Sequence, residues 1–412
     1  MAARHILSRI TVLAAFVLVL GGCIYPFEPD LDSSVDRIVV EGDIHIGGQT
    51  QVVISHVTPL QRSSSGWLTT YGSSGYYSDL SFAEHYDGYI EGEDGTRVEA
   101  SGNAFGVNGI LNFDTSALPD TQRYRLHLST SSGAIYETDW LEVLSAPSID
   151  ELSYIPDHDR DELNIALSMH CQGHSHFRWT YDETWEYHAL LYAYYYYDED
   201  TGTVQAHDID HPNNYWCWRS RTSPAIKIFS TAEQIEDRFV DLEFHRIARS
   251  DERLQVLYRI TVHLEALSED AYRYWNNLVN TSQGQGTIFS PTPSEMVGNI
   301  RCLSDPSVGV TGYINCARQA DAVLYYDNSI ERFYVAPKTG DIELLDDLGE
   351  TWGSMDLRQI WDLLLRRNYL PYTLQADELS LSTYYIWAPR ACLDCRYSGG
   401  TRTRPADWPN NH

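Results

Sequence analysis

Tyr89-Ile90-Glu91-Gly92-Glu93-Asp94-Gly95 is the stretch on which the fold turns: a short β-prone run that ends on Asp-Gly, a strong hairpin signal. Reading outward, the same pattern repeats. Upstream, Arg37-Ile38-Val39-Val40-Glu41-Gly42 is β-branched and closes on glycine, and Gln51-Val52-Val53-Ile54-Ser55 is a second such run. Downstream, Tyr124-Arg125-Leu126-His127-Leu128 alternates apolar with polar, and Ala134-Ile135-Tyr136-Glu137-Thr138 follows a Ser-Gly pair. Short strands, turn residues between them and no helical period predict an antiparallel sandwich.

The chain is therefore expected to be mainly β with minor α. An Ig-like β-sandwich is placed at residues 35–145, closed by Ala146-Pro147, and a larger β-rich domain with two or three short helices at 146–412. In the second region, Glu162 to Leu167, Phe177 to Tyr181, Ala225 to Phe229 and Leu254 to Leu267 read as strands. One helix should start at the N-cap Ser268, with Glu269 and Asp270 in its first turn and Ala271, Trp275, Leu278 and Val279 on one face. Another should run from Asp356 to Arg367, and Ser230 to Glu233 offers a third N-terminus.

The N-terminus reads as an export signal. Arg4 and Arg9 precede an apolar run, Ile10 to Leu20, too short to span a bilayer, which needs roughly 20 residues. Leu20-Gly21-Gly22-Cys23 follows and resembles a bacterial lipobox, so residues 1–22 are expected to be removed and Cys23 to carry lipid. The Pro-containing residues 23–34 then form a short spacer. A formal charge of −29, from 58 acidic and 29 basic residues, repels phosphate backbones and argues against nucleic acid. Excess acid also keeps exported proteins soluble.

The six cysteines besides Cys23 permit up to three disulfides among Cys171, Cys217, Cys302, Cys316, Cys392 and Cys395. The preferred arrangement is a structural cluster pinning the C-terminus and involving Cys217 or Cys302. A redox role for the Cys392/Cys395 pair is disfavoured by its Pro/Gly-rich setting.

Several segments are similar to the family known as domain of unknown function 4249. They include Val39-Val40-Glu41-Gly42, Phe177-Arg178-Trp179, Glu183-Thr184-Trp185-Glu186, Cys217-Trp218, Gly298-Asn299-Ile300-Arg301-Cys302, Cys392-Leu393-Asp394-Cys395-Arg396 and Trp408. Arg301 stands where that family often has histidine, and Cys316 is an extra cysteine. The resemblance implies an outer-membrane, surface-exposed lipoprotein of Bacteroidota, partnered with a TonB-dependent transporter, and brings no catalytic residues with it.

Candidate chemistry is sparse. His207, Asp208, Asp210 and His211 put two imidazoles and two carboxylates within five residues, a set able to ligate zinc. In an extended segment, however, the aspartates face away from the histidines, and Pro212 favours a solvated loop. Asp157, Asp159 and Asp161 alternate as in a calcium loop but lack its glycine and final glutamate. Glu183, Glu186 and His188 invite a glycosidase reading, against which stands the ordinary occurrence of carboxylates on strand surfaces. Hydrolase motifs of the G-x-S-x-G, P-loop and H-E-x-x-H kinds are missing.

Aromatic residues offer more. Tyr192, Tyr194 and Tyr196 alternate with Tyr195 and Tyr197, so one face can pack while the other, with Tyr195 and Tyr197, forms a contact platform; the alternative is a sheet packed on both sides. Trp67, Tyr71, Tyr76 and Tyr77 form a second platform candidate in a Ser/Gly-rich loop. The leading expectation is a non-enzymatic accessory lipoprotein that captures a small ligand, glycan or peptide for a transporter. A metal-dependent hydrolase using His207 and His211, or a structural or adhesive surface protein, are the alternatives.

Overall fold

The computed structural model describes residues 38–56, 85–101, 109–223, 227–234, 236–284, 298–336, 341–348, 352–376 and 382–409. The expected signal, the spacer, Cys23 and the platform candidates Trp67, Tyr71, Tyr76 and Tyr77 lie outside these residues. The described chain is mostly strand with four short helices. Among the described residues no helix is long and apolar enough to cross a membrane.

The first sandwich contains β1 (Ile38–Gly42), β2 (Ile44–His45), β3 (Gln49–His56), β4 (Tyr86–Gly92), β5 (Arg97–Glu99), β6 (Gly109–Asp114), β7 (Tyr124–Thr130) and β8 (Ile135–Thr138). The expected hairpin forms between β4 and β5, pairing Ile90 with Val98, and Gly95 takes the left-handed conformation that the turn requires. One sheet runs β1-β3-β6 and the other β8-β7-β4-β5. In immunoglobulin terms these are strands A-B-E against G-F-C-C′. Strand β7 alternates strictly, burying Tyr124, Leu126 and Leu128 while Arg125 and His127 face outward. Tyr124 stands at the start of β7, fully buried, and its hydroxyl donates to the Pro119 carbonyl at 2.6 Å. That is the tyrosine corner of immunoglobulin-like sandwiches.

The second unit adds β9 (Ser148–Asp157), β10 (Glu162–His170), β11 (His176–His188), β12 (Tyr195–Asp198), β13 (Thr203–Ala206), β14 (Trp216–Thr222), β15 (Lys227–Ser230), β16 (Arg238–Ala248) and β17 (Leu257–Ala266). Helix α1 (Glu269–Gly284) follows, with Ser268 capping it by accepting from the Ala271 amide. The third expected start, near Ser230, is a turn instead. Next come β18 (Ile300–Cys302), β19 (Val310–Thr311), β20 (Cys316–Ala317), β21 (Gln319–Asp327) and α2 (Asn328–Glu331).

Sheet β16-β10-β9 packs on sheet β14-β11-β17-β21, and the core between them holds Leu163, Ile165, Phe177, Trp179, Ile260 and Val262. Each such side chain contributes roughly 1.5–3 kcal/mol on burial. The first sandwich does not finish at Ser145. Strand β18 extends its β8 edge, β19 pairs in parallel with β1, and β20 with β2. Gly312 permits this return: its φ is +141°, and a β-carbon there would run into the Val40 backbone.

A third layer consists of β22 (Leu345–Asp346), α3 (Leu357–Arg366), β23 (Tyr369–Ala376), β24 (Thr383–Pro389) and α4 (Arg390–Leu393). Asp356 and Gln359 form a capping box at the start of α3, whose Ile360 and Leu364 close over the buried Trp387.

Candidate functional site

The third layer and the β12–β13 hairpin enclose a cleft of about 310 Å³. One wall is the hairpin, with Tyr195, Tyr196, Tyr197, Glu199 and His207. The second is Asn368 to Pro371, where α3 gives way to β23. The third is the C-terminal segment, with Arg390, Asp394 and Arg396. The Cys217–Cys395 disulfide joins that segment to β14, and the Cys395 amide donates to the Asn214 carbonyl at 3.0 Å. The cross-link therefore fixes the cationic wall relative to the sheet.

Electrostatics here centre on Asp394, which is buried while both its guanidinium partners are exposed. Arg396 donates to both its oxygens, from Nε at 2.9 Å and Nη2 at 2.8 Å. Burial pushes the Asp394 carboxyl upward, but the Arg396 contacts outweigh it and leave it below the ordinary range. His207, on the opposite wall, has Nδ1 2.7 Å from the His211 carbonyl oxygen, and burial lowers its pKa.

Strand β12 begins only at Tyr195, and its Tyr196 stacks on His211 and also lines the cleft, while the platform expected at Tyr195 and Tyr197 is in part packed. Both line the cleft, yet Tyr195 also packs edge-on against Tyr385 and Tyr197 against Trp361, beside the third-layer core. The more exposed rings are Tyr192 and Tyr194, at 44% and 55%. They continue through Tyr215 to Trp216 and His188, with neighbouring ring centroids 4.6–5.3 Å apart.

His207, Asp208, Asp210 and His211 do not converge as ligands. Asp208 accepts from the Asp210 and His211 amides and closes a turn, while His211 stacks on Tyr196. Asp157 likewise caps the β9–β10 turn, and Asp161 pairs with Arg249. Among the described residues, the group whose donor atoms lie close enough for a metal is Asp43, His45 and Glu265, within 4.8 Å of one another. Arg178 already bridges Asp43 and Glu265 there. Those carboxylates with Arg178 carry a net charge of −1, which a divalent ion would turn to +1 in a buried place. The site suits the guanidinium better than a metal.

Glu183 and Glu186 are three residues apart on β11 and face opposite ways, which removes the carboxylate pair. Glu186 accepts from Trp408 Nε1 at 2.7 Å on the outer face. Glu183 is fully buried between the sheets and accepts from Arg253 at 2.6 Å, Tyr258 at 2.8 Å and Arg221 at 3.0 Å, with His245 Nε2 at 3.1 Å. Burial alone would raise its pKa, but these partners hold it at about 2. A carboxylate so saturated is structural.

Of the six candidate cysteines, Cys217 and Cys395 are bonded, while Cys171, Cys302, Cys316 and Cys392 are free thiols. The expected pinning of the C-terminus by Cys217 is present. Arg390 and Asn368 carry no signal in the sequence that marks them as cleft residues. Asp394 and Arg396 stand in the family-like segment 392–396, but nothing in their spacing marks a cleft wall.

No curated protein matches this chain. A family model described as a domain of unknown function (DUF4249) matches residues 24–322, so it spans the first sandwich, the second as far as the start of β21, and the hairpin wall of the cleft, and stops short of the other two walls. That match covers well over half of the sequence, and the chain belongs to the DUF4249 family.

Proposed function

We propose that the protein is a non-enzymatic surface lipoprotein, anchored through Cys23 at the outer membrane, which captures a small molecule, glycan or peptide as the accessory subunit of a TonB-dependent transporter. The observation that carries the recognition role is the cleft of about 310 Å³, at the lower end of ligand-cavity sizes of roughly 300–1,000 Å³. Tyrosine supplies large contact area and a hydroxyl at small entropic cost, which suits capture and release. Recognition is favoured over reaction because no serine, threonine or cysteine lines the cleft among the described residues, and of its acid–base groups Asp394 is held by Arg396 and His207 Nδ1 lies against the His211 carbonyl oxygen. The anchor and the partnership rest on the sequence, through the lipobox at 20–23 and the family resemblance.

Affinity capture from detergent-solubilised outer membranes tests this reading. Full-length lipidated protein should bring down a TonB-dependent transporter, and Cys23→Ser should lose both membrane association and the transporter. Capture of no transporter by the wild type contradicts the partnership.

A further inference from the structure

The cleft walls differ in charge. On the C-terminal wall, Arg396 spends its Nε and Nη2 on Asp394. Arg390 reaches the same carboxylate only through a 3.5 Å Nε contact, long for a hydrogen bond. Its planar fork is otherwise uncommitted among the described residues. Two guanidiniums on one carboxylate leave this wall with a net charge of +1, in a chain whose formal charge is −29. Across the cleft stand the tyrosines of the hairpin, with Glu199 exposed on the turn that follows them. Asn214 and Asn368 also line the space, and their side chains make no hydrogen bond among the described residues. Asn368 holds a left-handed backbone (φ 62°), and its carbonyl accepts from the Arg390 amide at 2.6 Å, which ties the amide wall to the cationic wall.

Resting on the reading of the cleft as a ligand site, we propose that it takes a small carboxylate-bearing ligand, with the carboxylate on the fork of Arg390 and the remainder between Tyr195 and Tyr369 beside the two asparagines. A guanidinium fork matches a carboxylate through two parallel hydrogen bonds, which an ammonium cannot reproduce. Free amide groups suit hydroxyls or peptide groups, and aromatic faces suit the C–H faces of a sugar ring. Glu199 repels an anion at the hairpin turn, so the charge sits toward the C-terminal wall. A hexuronic acid and the C-terminal carboxylate of a short peptide share this chemistry.

Isothermal titration of the full chain with galacturonate, with Gly-Gly and with neutral glucose tests the proposal and separates the two sources. One of the two carboxylates should bind at least tenfold more tightly than glucose. Arg390→Gln should abolish that preference, and Arg390→Lys, which keeps the charge but loses the fork, should restore only part of it. Arg390 is exposed, so neither variant should alter the thermal midpoint. Glucose binding as tightly as galacturonate overturns the carboxylate assignment while leaving the cleft a ligand site. Binding of none of the three overturns the assignment too, and transporter capture still tests the accessory role independently. A carboxylate preference that survives in Arg390→Gln places the anion elsewhere and also overturns it.

Discussion

His45 Nδ1 and Glu265 Oε2 face each other across 3.8 Å where the two sandwiches meet, and neither atom has a hydrogen-bond partner among the described residues. Arg178 bridges Asp43 and Glu265 and lies over the Trp275 ring, the Asn315 amide donates to Asp43 at 2.7 Å, and the Asn315 side chain donates to the Ala266 carbonyl at 2.9 Å. The junction therefore buries one more negative charge than positive, and burial raises the Glu265 pKa.

A raised carboxyl pKa means that the folded chain holds a proton which the unfolded chain releases. The contribution of Glu265 to stability is thus greatest below the ordinary carboxyl range near 4.5 and declines as pH rises through its raised folded value. Urea midpoints of wild type and Glu265→Gln, measured in parallel from pH 4 to 8, should diverge in favour of the glutamine variant as pH rises. A constant difference would show that Glu265 keeps its charge throughout.

Glu183 should behave in the opposite sense. Its pKa of about 2, against 4.5 in the unfolded chain, corresponds to roughly 3 kcal/mol that is fully present above pH 4.5 and is lost as pH falls toward 2. Glu183→Gln should destabilise at neutral pH by about that amount, leaving Arg253 and Arg221 short of charge, and should flatten the acid limb of the stability curve. Chemical denaturation between pH 2.5 and 7 reads both effects.

The Cys217–Cys395 cross-link closes a loop of 178 residues. Replacing both cysteines with serine should lower stability by about 2–4 kcal/mol. Because Asp394 and Arg396 flank Cys395, the same variant should weaken ligand binding at the cleft. Calorimetry of the reduced or substituted chain checks this, and unchanged binding would mean that backbone contacts alone hold the wall.

Exposed and packed tyrosines should separate cleanly. Tyr192→Ala with Tyr194→Ala should change stability by less than about 1 kcal/mol, since both rings are exposed. Tyr197→Ala should cost about 2 kcal/mol, because it opens a space beside Trp361 and the α3 core. Thermal midpoints of the two variants give the comparison.

The first sandwich was legible because its physics is local. Strict alternation in 124–128, the Asp94-Gly95 turn and the β-branched runs each fix one strand without help from distant residues. Both capped helices were legible for the same reason, since Ser268 and Asp356 act within one turn. What escaped depended on long-range pairing. Strands β18 to β20 are two or three residues long and join a sheet begun more than 150 residues earlier, so no period marks them. Alternation divided the tyrosines into two faces but could not say that α3 and β24 would pack against the face bearing Tyr195 and Tyr197. Arg390 and Asn368 come together only through the turn from α3 into β23 and the end of β24, and nothing in their spacing signals a cleft.

Hydrogen–deuterium exchange on the full chain with saturating galacturonate or Gly-Gly tests the central claim most directly. Slowed exchange in peptides covering 193–199, 368–371 and 390–396, together with the one containing Asn214, is the predicted result for the ligand that binds. Protection at the Tyr192, Tyr215 and Trp216 surface without protection of 368–371 and 390–396, or no change anywhere with either compound, would contradict the assignment of the cleft as the recognition site.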